Sequence, residues 1–211
     1  MKGTALLARI CAEHGITLMH ISSDYVFDGT RELRDEEEPF SPLSVYGQSK
    51  AVGDLAVSGC PKHYILRSSW VIGDGYNFAK TMVVLSNRVT DPKDELDKVT
   101  VVDDQLGRLT FTKDMAQVIF YLLDTGKPYG TYDCTGSGAF KSWADIARVC
   151  FEATNGNGDA VVPVSTIEYY ASAEGPVAPR PMHSALDLAK LEASGFHMPD
   201  WNQELKEYII L

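Results

Sequence analysis

Tyr46 and Lys50 stand four residues apart in "SVYGQSKAVGDLA" (44–56), a stretch that otherwise reads as helix. Positions i and i+4 share a helical face, with Cβ atoms roughly 5 to 6 Å apart. A phenol with a pKa near 10 is ionised to only about 0.1% at pH 7, and a neighbouring ammonium stabilises the phenolate. Lowering the phenol by ~2 to 3 units corresponds to roughly 3 to 4 kcal/mol, which makes it a competent proton donor to a carbonyl undergoing reduction. Spacing alone does not single out this pair, because "YNFAK" repeats it with Tyr76 and Lys80. A third element separates the two: "HISSDYVFDG" precedes Tyr46 and ends a predicted strand in Ser22 and Ser23. Hydroxyls at the carboxyl end of a parallel strand face the crevice in which open α/β sheets place ligands. Tyr46 with Lys50 is therefore the preferred pair.

The elements that must position these groups follow from periodicity and turn chemistry. Leu6, Leu7, Ile10 and Cys11 recur at helical spacing and Gly15 follows as a C-terminal stop, so residues 3–14 are expected to be helix. "ITLMHIS" (16–22) reads as a buried strand running into a loop with turn residues Asp28 and Gly29. Ser44 can cap a helix over 45–58, although Gly47 inside it costs about 1 kcal/mol relative to Ala. "HYILR", "VTVV" and "GTYDCTG" are further strands; "FAKTMVVLSNRV" and "TKDMAQVIFYLLDTG" are further helices. "SWADIARVCFEATNG" adds another, with Ser142 and Asp145 in capping-box spacing. Beyond "VVPVST" the pattern weakens, and the Pro-rich "EGPVAPRPMHS" leads into short helices near 187–194 and 201–210. This alternation predicts an α/β, doubly wound (Rossmann-like) parallel sheet with a small irregular C-terminal lobe. The division expected is about 1–135 for the sheet and 136–211 mainly for the lobe, the two interleaved within one domain.

Composition narrows the function classes. A chain of 211 residues can bury a self-sufficient core, and 45% hydrophobic with 23% charged residues are globular values. No apolar run approaches the roughly 18 to 20 residues needed to span a bilayer, and Arg9, Glu13 and His14 interrupt any signal-peptide core. Cys11, Cys60, Cys134 and Cys150 are scattered, with no C-x-x-C and no histidine at ligand spacing, so neither a metal site nor a disulfide framework is indicated. Reduced thiols in a cytoplasm are the expectation. A net charge of −10 disfavours nucleic acid as a partner. A small anionic ligand remains compatible with it, because a few arginines and helix N-termini can hold a diphosphate locally.

A strand-end serine followed some two dozen residues later by Y-x-x-x-K resembles the short-chain dehydrogenase/reductase superfamily. The segments "ISSDYVFDGT", "PFSPLSVYGQSKAVGD", "ILRSSWVIG", "NFAKTM", "VVDDQLGRLT" and "RPMHSALDLAKL" resemble, in that order and over nearly the whole chain, the dTDP-4-dehydrorhamnose reductase family. The resemblance implies reduction of the 4-keto group of dTDP-4-dehydro-6-deoxy-L-mannose to dTDP-L-rhamnose by hydride from NADPH or NADH. It implies Ser23 as the group that orients the carbonyl, Tyr46 as proton donor, and Lys50 as the residue that tunes Tyr46 and holds the nicotinamide ribose. Ser22 and Ser68 are implied beside the cofactor, and Asp24, Tyr25, Trp70, Asn77, Gln105 and Arg180 beside the sugar nucleotide. Plain structural readings stand next to these: Trp70 as core, Asn77 as a helix cap, Gln105 and Arg108 as loop residues. Sugar-nucleotide 4,6-dehydratases carry an Asp-Glu pair after the strand-end hydroxyl; here Tyr25 follows Asp24, which disfavours dehydration. Leu109 and His183 depart from the family pattern, where Pro and Asn are usual, and His183 reads as a partly exposed loop residue.

Such a reductase also needs a Gly-rich turn whose N–H groups receive the cofactor pyrophosphate. None stands ahead of Ser23. "CTGSGAFKSWADIA" has Gly136 and Gly138, but Phe140 and Lys141 occupy the region of the third glycine, and it reads as a tight turn into a capped helix. The sequence is therefore expected to correspond to roughly the C-terminal two thirds of a reductase, without the dinucleotide phosphate loop. A parallel sheet short of strands would expose an apolar edge and favour self-association. The alternative expectation is a non-catalytic nucleotide-sugar-binding or regulatory subunit of the same fold.

Overall fold

Helix and strand alternate through residues 2–210, the part of the chain that the computed structural model describes. The elements are α1 (Lys2–His14), β1 (Leu18–Ser23), α2 (Val45–Ser58), β2 (His63–Ser68), β3 (Val71–Ile72) and α3 (Phe78–Thr90). They continue with β4 (Val99–Val102), β5 (Leu106–Gly107), β6 (Thr110–Phe111), α4 (Thr112–Thr125) and β7 (Gly130–Asp133). The last are β8 (Lys141–Ser142), α5 (Trp143–Asn155), β9 (Val161–Val164), α6 (Thr166–Tyr169), α7 (Ala189–Ala193) and α8 (Trp201–Ile210).

The main sheet is parallel, in the order β1-β2-β7. Its register pairs Ser22 with Arg67 and Ser23 with Ser68, so two strands deliver their terminal hydroxyls side by side at one carboxyl edge. That edge is where open α/β sheets bind ligands. Smaller parallel pairs, β3 with β6 and β4 with β9, and the antiparallel pair β5 with β8 build the remainder. The fold is α/β with a parallel sheet, as the alternation predicts.

Two apolar clusters hold the layers together. Tyr64, Leu66, Met115, Val118, Leu122, Tyr132 and Leu191 pack the sheet against α4 and α7. Ile72, Met82, Leu109, Phe111, Ile146, Phe151, Trp201 and Leu205 pack α3, α5 and α8 together. The second cluster draws on residues from both sides of position 135, so the C-terminal segment shares its core with the preceding chain.

Local signals place the helix ends where the chemistry requires. Ser44 accepts from Gly47 N at 3.1 Å, Ser142 and Asp145 form the reciprocal capping box, and Gly15 closes α1 at φ +65°. Strand ends differ by a few residues. Ile16 N bonds back to Cys11 O at 2.9 Å, so it finishes α1, and β1 begins two residues later than periodicity suggests. Cys134 N still donates to Arg67 O of β2 at 2.7 Å, but Gly136 N turns away to Leu109 O at 2.9 Å, so β7 ends at Asp133. Among the described residues no helix is long and apolar enough to cross a membrane, and all four cysteines are buried and free.

Candidate active site

The carboxyl end of β1 supplies the first part of the site. Ser23 caps a 3-10 turn, Asp24–Val26: its Oγ accepts from Tyr25 N at 3.2 Å and donates to Asp24 Oδ1 at 3.0 Å. Ser22, Ser68 and Ser69 are buried beside it, and the Ser22 hydroxyl has no hydrogen-bond partner.

The N-terminus of α2 is pressed against that turn. A Cβ at Gly47 would lie 2.1 Å from the Tyr25 carbonyl oxygen, so only glycine permits the approach. The helical cost of Gly47 is thus explained by what it brings together. The rings of Tyr25 and Tyr46 meet edge to face, with centroids 5.6 Å apart and planes at 81°. One turn further, Lys50 Nζ donates to the Ile21 carbonyl at 2.5 Å.

Ser22, Ser23, Asp24, Tyr25, Tyr46, Lys50, Ser68, Trp70 and Arg180 all line one cleft of about 470 Å³. Burial dominates its electrostatics. It pushes the Asp24 carboxyl up to about 6, against the nearby Ser184 and Ser23 hydroxyls and the turn backbone. It also lowers the Lys50 ammonium, with the Asp54 carboxylate pulling the other way. Burial raises the Tyr25 phenol too, while Arg180 opposes the rise and donates to its hydroxyl at 3.1 Å.

A second chamber of about 390 Å³ adjoins the cleft and shares Trp143 and Arg180 with it. Its walls include Phe78, Val101, Gln105, Tyr169 and Tyr170. Trp143 stacks on Trp70, with centroids 3.9 Å apart and planes at 22°. Trp70 alone among the described non-glycine residues has a left-handed backbone, φ 48°, and Gly107 lets its indole lie close against β5. Trp70 is half-buried and lines the cleft, and Trp143 behind it is the aromatic wall that both chambers share. Gln105 is buried, and its Nε2 donates to Thr166 Oγ1 at 2.9 Å. The aromatic walls Phe78, Trp143, Tyr169 and Tyr170 escaped the sequence reading; the available signal was a bulky aromatic directly after a capping serine at Ser142-Trp143.

Other singled-out residues lie apart. Asn77 caps α3: its Oδ1 accepts from Lys80 N at 3.1 Å and its Nδ2 donates to Gly73 O, Gly75 O and the Tyr208 hydroxyl. Arg108 braces loops through Gly136 O and Leu186 O and lies 4.4 Å over the Phe140 ring. Leu109 is fully buried, and His183 is a partly exposed loop residue whose N–H donates to Gly29 O. Tyr76 is 92% exposed and precedes α3, while Lys80 donates to Asp74 O, so this second Tyr-Lys pair faces no cleft with a strand-end serine. No group of three or more His, Cys, Asp or Glu able to hold a metal occurs among the described residues.

The chain is similar to known proteins over nearly its whole length. Residues 1–210 match the family model of the RmlD substrate binding domain. Spore coat polysaccharide biosynthesis protein SpsK of Bacillus subtilis is 37% identical over 92% of this chain and 64% of its own length. A dTDP-4-dehydrorhamnose reductase of Aggregatibacter actinomycetemcomitans is 36% identical over 98% of this chain and 70% of its own. The crystal structure of a dTDP-4-dehydrorhamnose reductase from Bacillus anthracis in complex with NADP superposes with a TM-score of 0.84 at 35% identity, covering 99% of this chain and 70% of that one. An orthologue from Clostridium acetobutylicum gives 0.86 at 37% identity, again over 99% and 70%. The chain thus spans about two thirds of the length of the relatives it matches. It belongs to the RmlD substrate-binding-domain family.

Proposed function

We propose that this chain binds a nucleotide sugar and carries the proton-transfer centre for NADPH- or NADH-dependent reduction of dTDP-4-dehydro-6-deoxy-L-mannose to dTDP-L-rhamnose. The observation that carries this reading is the meeting of Ser23, Tyr46 and Lys50 in one cleft that opens beside an aromatic chamber.

Ser23 orients the 4-keto oxygen by hydrogen bonding. Tyr46 gives its phenolic proton to that oxygen as negative charge develops on it. Lys50 stabilises the phenolate left behind, since a cation within helical i,i+4 reach favours the charged form. Asp24 and Tyr25 border the sugar, and the Trp70–Trp143 stack with Gln105 borders the nucleotide. Arg180, which faces both chambers, suits the diphosphate between them. The partnerless buried hydroxyl of Ser22, with Ser68, Tyr46 and Lys50, fits the polar ribose of a nicotinamide cofactor. When bound, that cofactor supplies the hydride. Asn77, with its side chain engaged as a cap, is the implied ligand residue that the geometry supports least.

The test is reduction of the keto sugar by the intact protein, with Tyr46→Phe as the variant. Loss of about 10²- to 10⁴-fold in turnover, with dTDP affinity retained by calorimetry, is the expected result. Wild-type turnover by Tyr46→Phe would overturn the assignment.

A further inference from the structure

We propose that Asp24 is a positioning residue that sets the direction of the Ser23 hydroxyl proton, and so decides when Ser23 can hydrogen-bond a substrate carbonyl. The proposal rests on the reading of this cleft as a carbonyl-reducing site.

A serine hydroxyl has one proton and can donate only once. In this structure the donor is committed: Ser23 Oγ donates to Asp24 Oδ1 at 3.0 Å, while Tyr25 N–H occupies an acceptor position on the same oxygen at 3.2 Å. An ionised carboxylate only accepts, so the direction of the Ser23–Asp24 bond is forced while Asp24 carries charge. A ketone oxygen arriving in the cleft needs a donor, and Ser23 has none left to offer it. Protonation of Asp24 reverses the bond. The carboxyl then donates to Ser23 Oγ, the Ser23 proton turns into the cleft, and no hydrogen bond is lost. The relay runs Asp24 O–H to Ser23 Oγ, then Ser23 O–H to the ketone oxygen.

The surroundings favour such a reversal. Asp24 is 4% exposed, and burial holds its carboxyl at about 6, within reach of neutral pH. The groups facing it are the Ser23 hydroxyl and the Tyr25 N–H of its own turn and the Ser184 hydroxyl of the C-terminal segment. Tyr25, the next residue, keeps its phenol on Arg180. Across the cleft α2 presents Tyr46 and Lys50, the latter directed at the Ile21 carbonyl. The competent form is the protonated one, and apparent carbonyl affinity scales with its fraction.

The test follows Asp24 directly. Carboxyl ¹³C NMR of the intact chain labelled at aspartate is expected to show a resonance titrating near 6 that disappears in Asp24→Asn. In Ser23→Ala that titration is expected to move up, because the carboxylate loses a donor. Ser23→Thr, which keeps the hydroxyl, is expected to restore it. In turnover, kcat/KM of the wild type should fall on the alkaline side of 6. In Asp24→Asn, whose carboxamide donates to Ser23 at every pH, that limb should vanish, whatever uniform loss accompanies the lost sugar contact. An Asp24 titration below 5, one indifferent to Ser23→Ala, or a wild-type limb surviving in Asp24→Asn would overturn the proposal. Tyr46→Phe separates the two readings: turnover surviving in it sinks the reductase assignment, while the Asp24 titration stands or falls by itself.

Discussion

Lys50 Nζ lies 2.5 Å from the carbonyl oxygen of Ile21, two residues before Ser23, so the α2 ammonium is tied to the strand that carries the Ser23 hydroxyl. This contact turns an i,i+4 spacing into fixed geometry. Solvent would screen the charge of a loose lysine, whereas one held at a strand end keeps it beside the cleft that Lys50 lines.

Removing that charge tests its role. Lys50→Met is expected to lower kcat/KM by roughly 10²- to 10⁴-fold with little change in stability. Lys50→Arg should recover part of the loss, because it restores charge without the same reach. Steady-state kinetics alongside thermal melting would distinguish a catalytic defect from an unfolded chain.

Behind Lys50 on the same helical face sits Asp54, 1% exposed, whose Oδ2 accepts from Arg67 Nε at 3.1 Å. Its Oδ1 is 3.5 Å from His20 Nε2. Asp54→Ala leaves the Arg67 guanidinium buried without its carboxylate, a change expected to destabilise by about 3 to 5 kcal/mol. Urea unfolding measures it. The same substitution removes the pull that sustains Lys50, so the lysine should lose its proton at lower pH. A lysine titration unmoved in Asp54→Asn would refute that link.

Gly47→Ala places a methyl 2.1 Å from the Tyr25 carbonyl oxygen, a backbone atom that cannot step aside alone. Either α2 retreats from the turn or the turn distorts. A loss of about 1 to 3 kcal/mol is expected, with turnover falling further than stability because Tyr46 moves with the helix. Melting temperature unchanged and turnover intact would refute the close approach.

Asp114, in the first turn of α4, is 2% exposed, and its carboxyl is pushed up to about 6 by burial and by Glu204, against Lys113. A carboxyl higher in the folded state than its ordinary value of 3.8 leaves stability undiminished below about pH 4. That stability is lost as pH rises through 6. Asp114→Asn should therefore gain on the wild type between pH 4 and 7, by on the order of 1 to 3 kcal/mol. Melting curves at both pH values would show it, and a gap constant with pH would contradict it.

What could be read from sequence follows from how each element is made. The helix over 45–58 was legible because Ser44 announces it and its apolar positions keep helical spacing. The Ser142–Asp145 box did the same for α5. Two-residue strands such as β3, β5, β6 and β8 have no periodicity to detect, since their existence depends on partners far along the chain. The short helix Thr166–Tyr169 carries its own capping box, Ser165 with Glu168, but four residues make too little pattern to stand out. At the site, Ser23, Tyr46 and Lys50 were legible as chemistry on predictable elements. The Trp70–Trp143 stack was not, because it joins residues that only the fold brings within 3.9 Å.

Arg180 belongs to the walls of the Ser23–Tyr46 cleft, of the aromatic chamber and of a third hollow of about 630 Å³ beside Tyr46. It ends an exposed Pro-rich strap, 176–180. That guanidinium is held on the Tyr25 hydroxyl at 3.1 Å, so a ligand entering any of the three compartments meets one and the same preset cation.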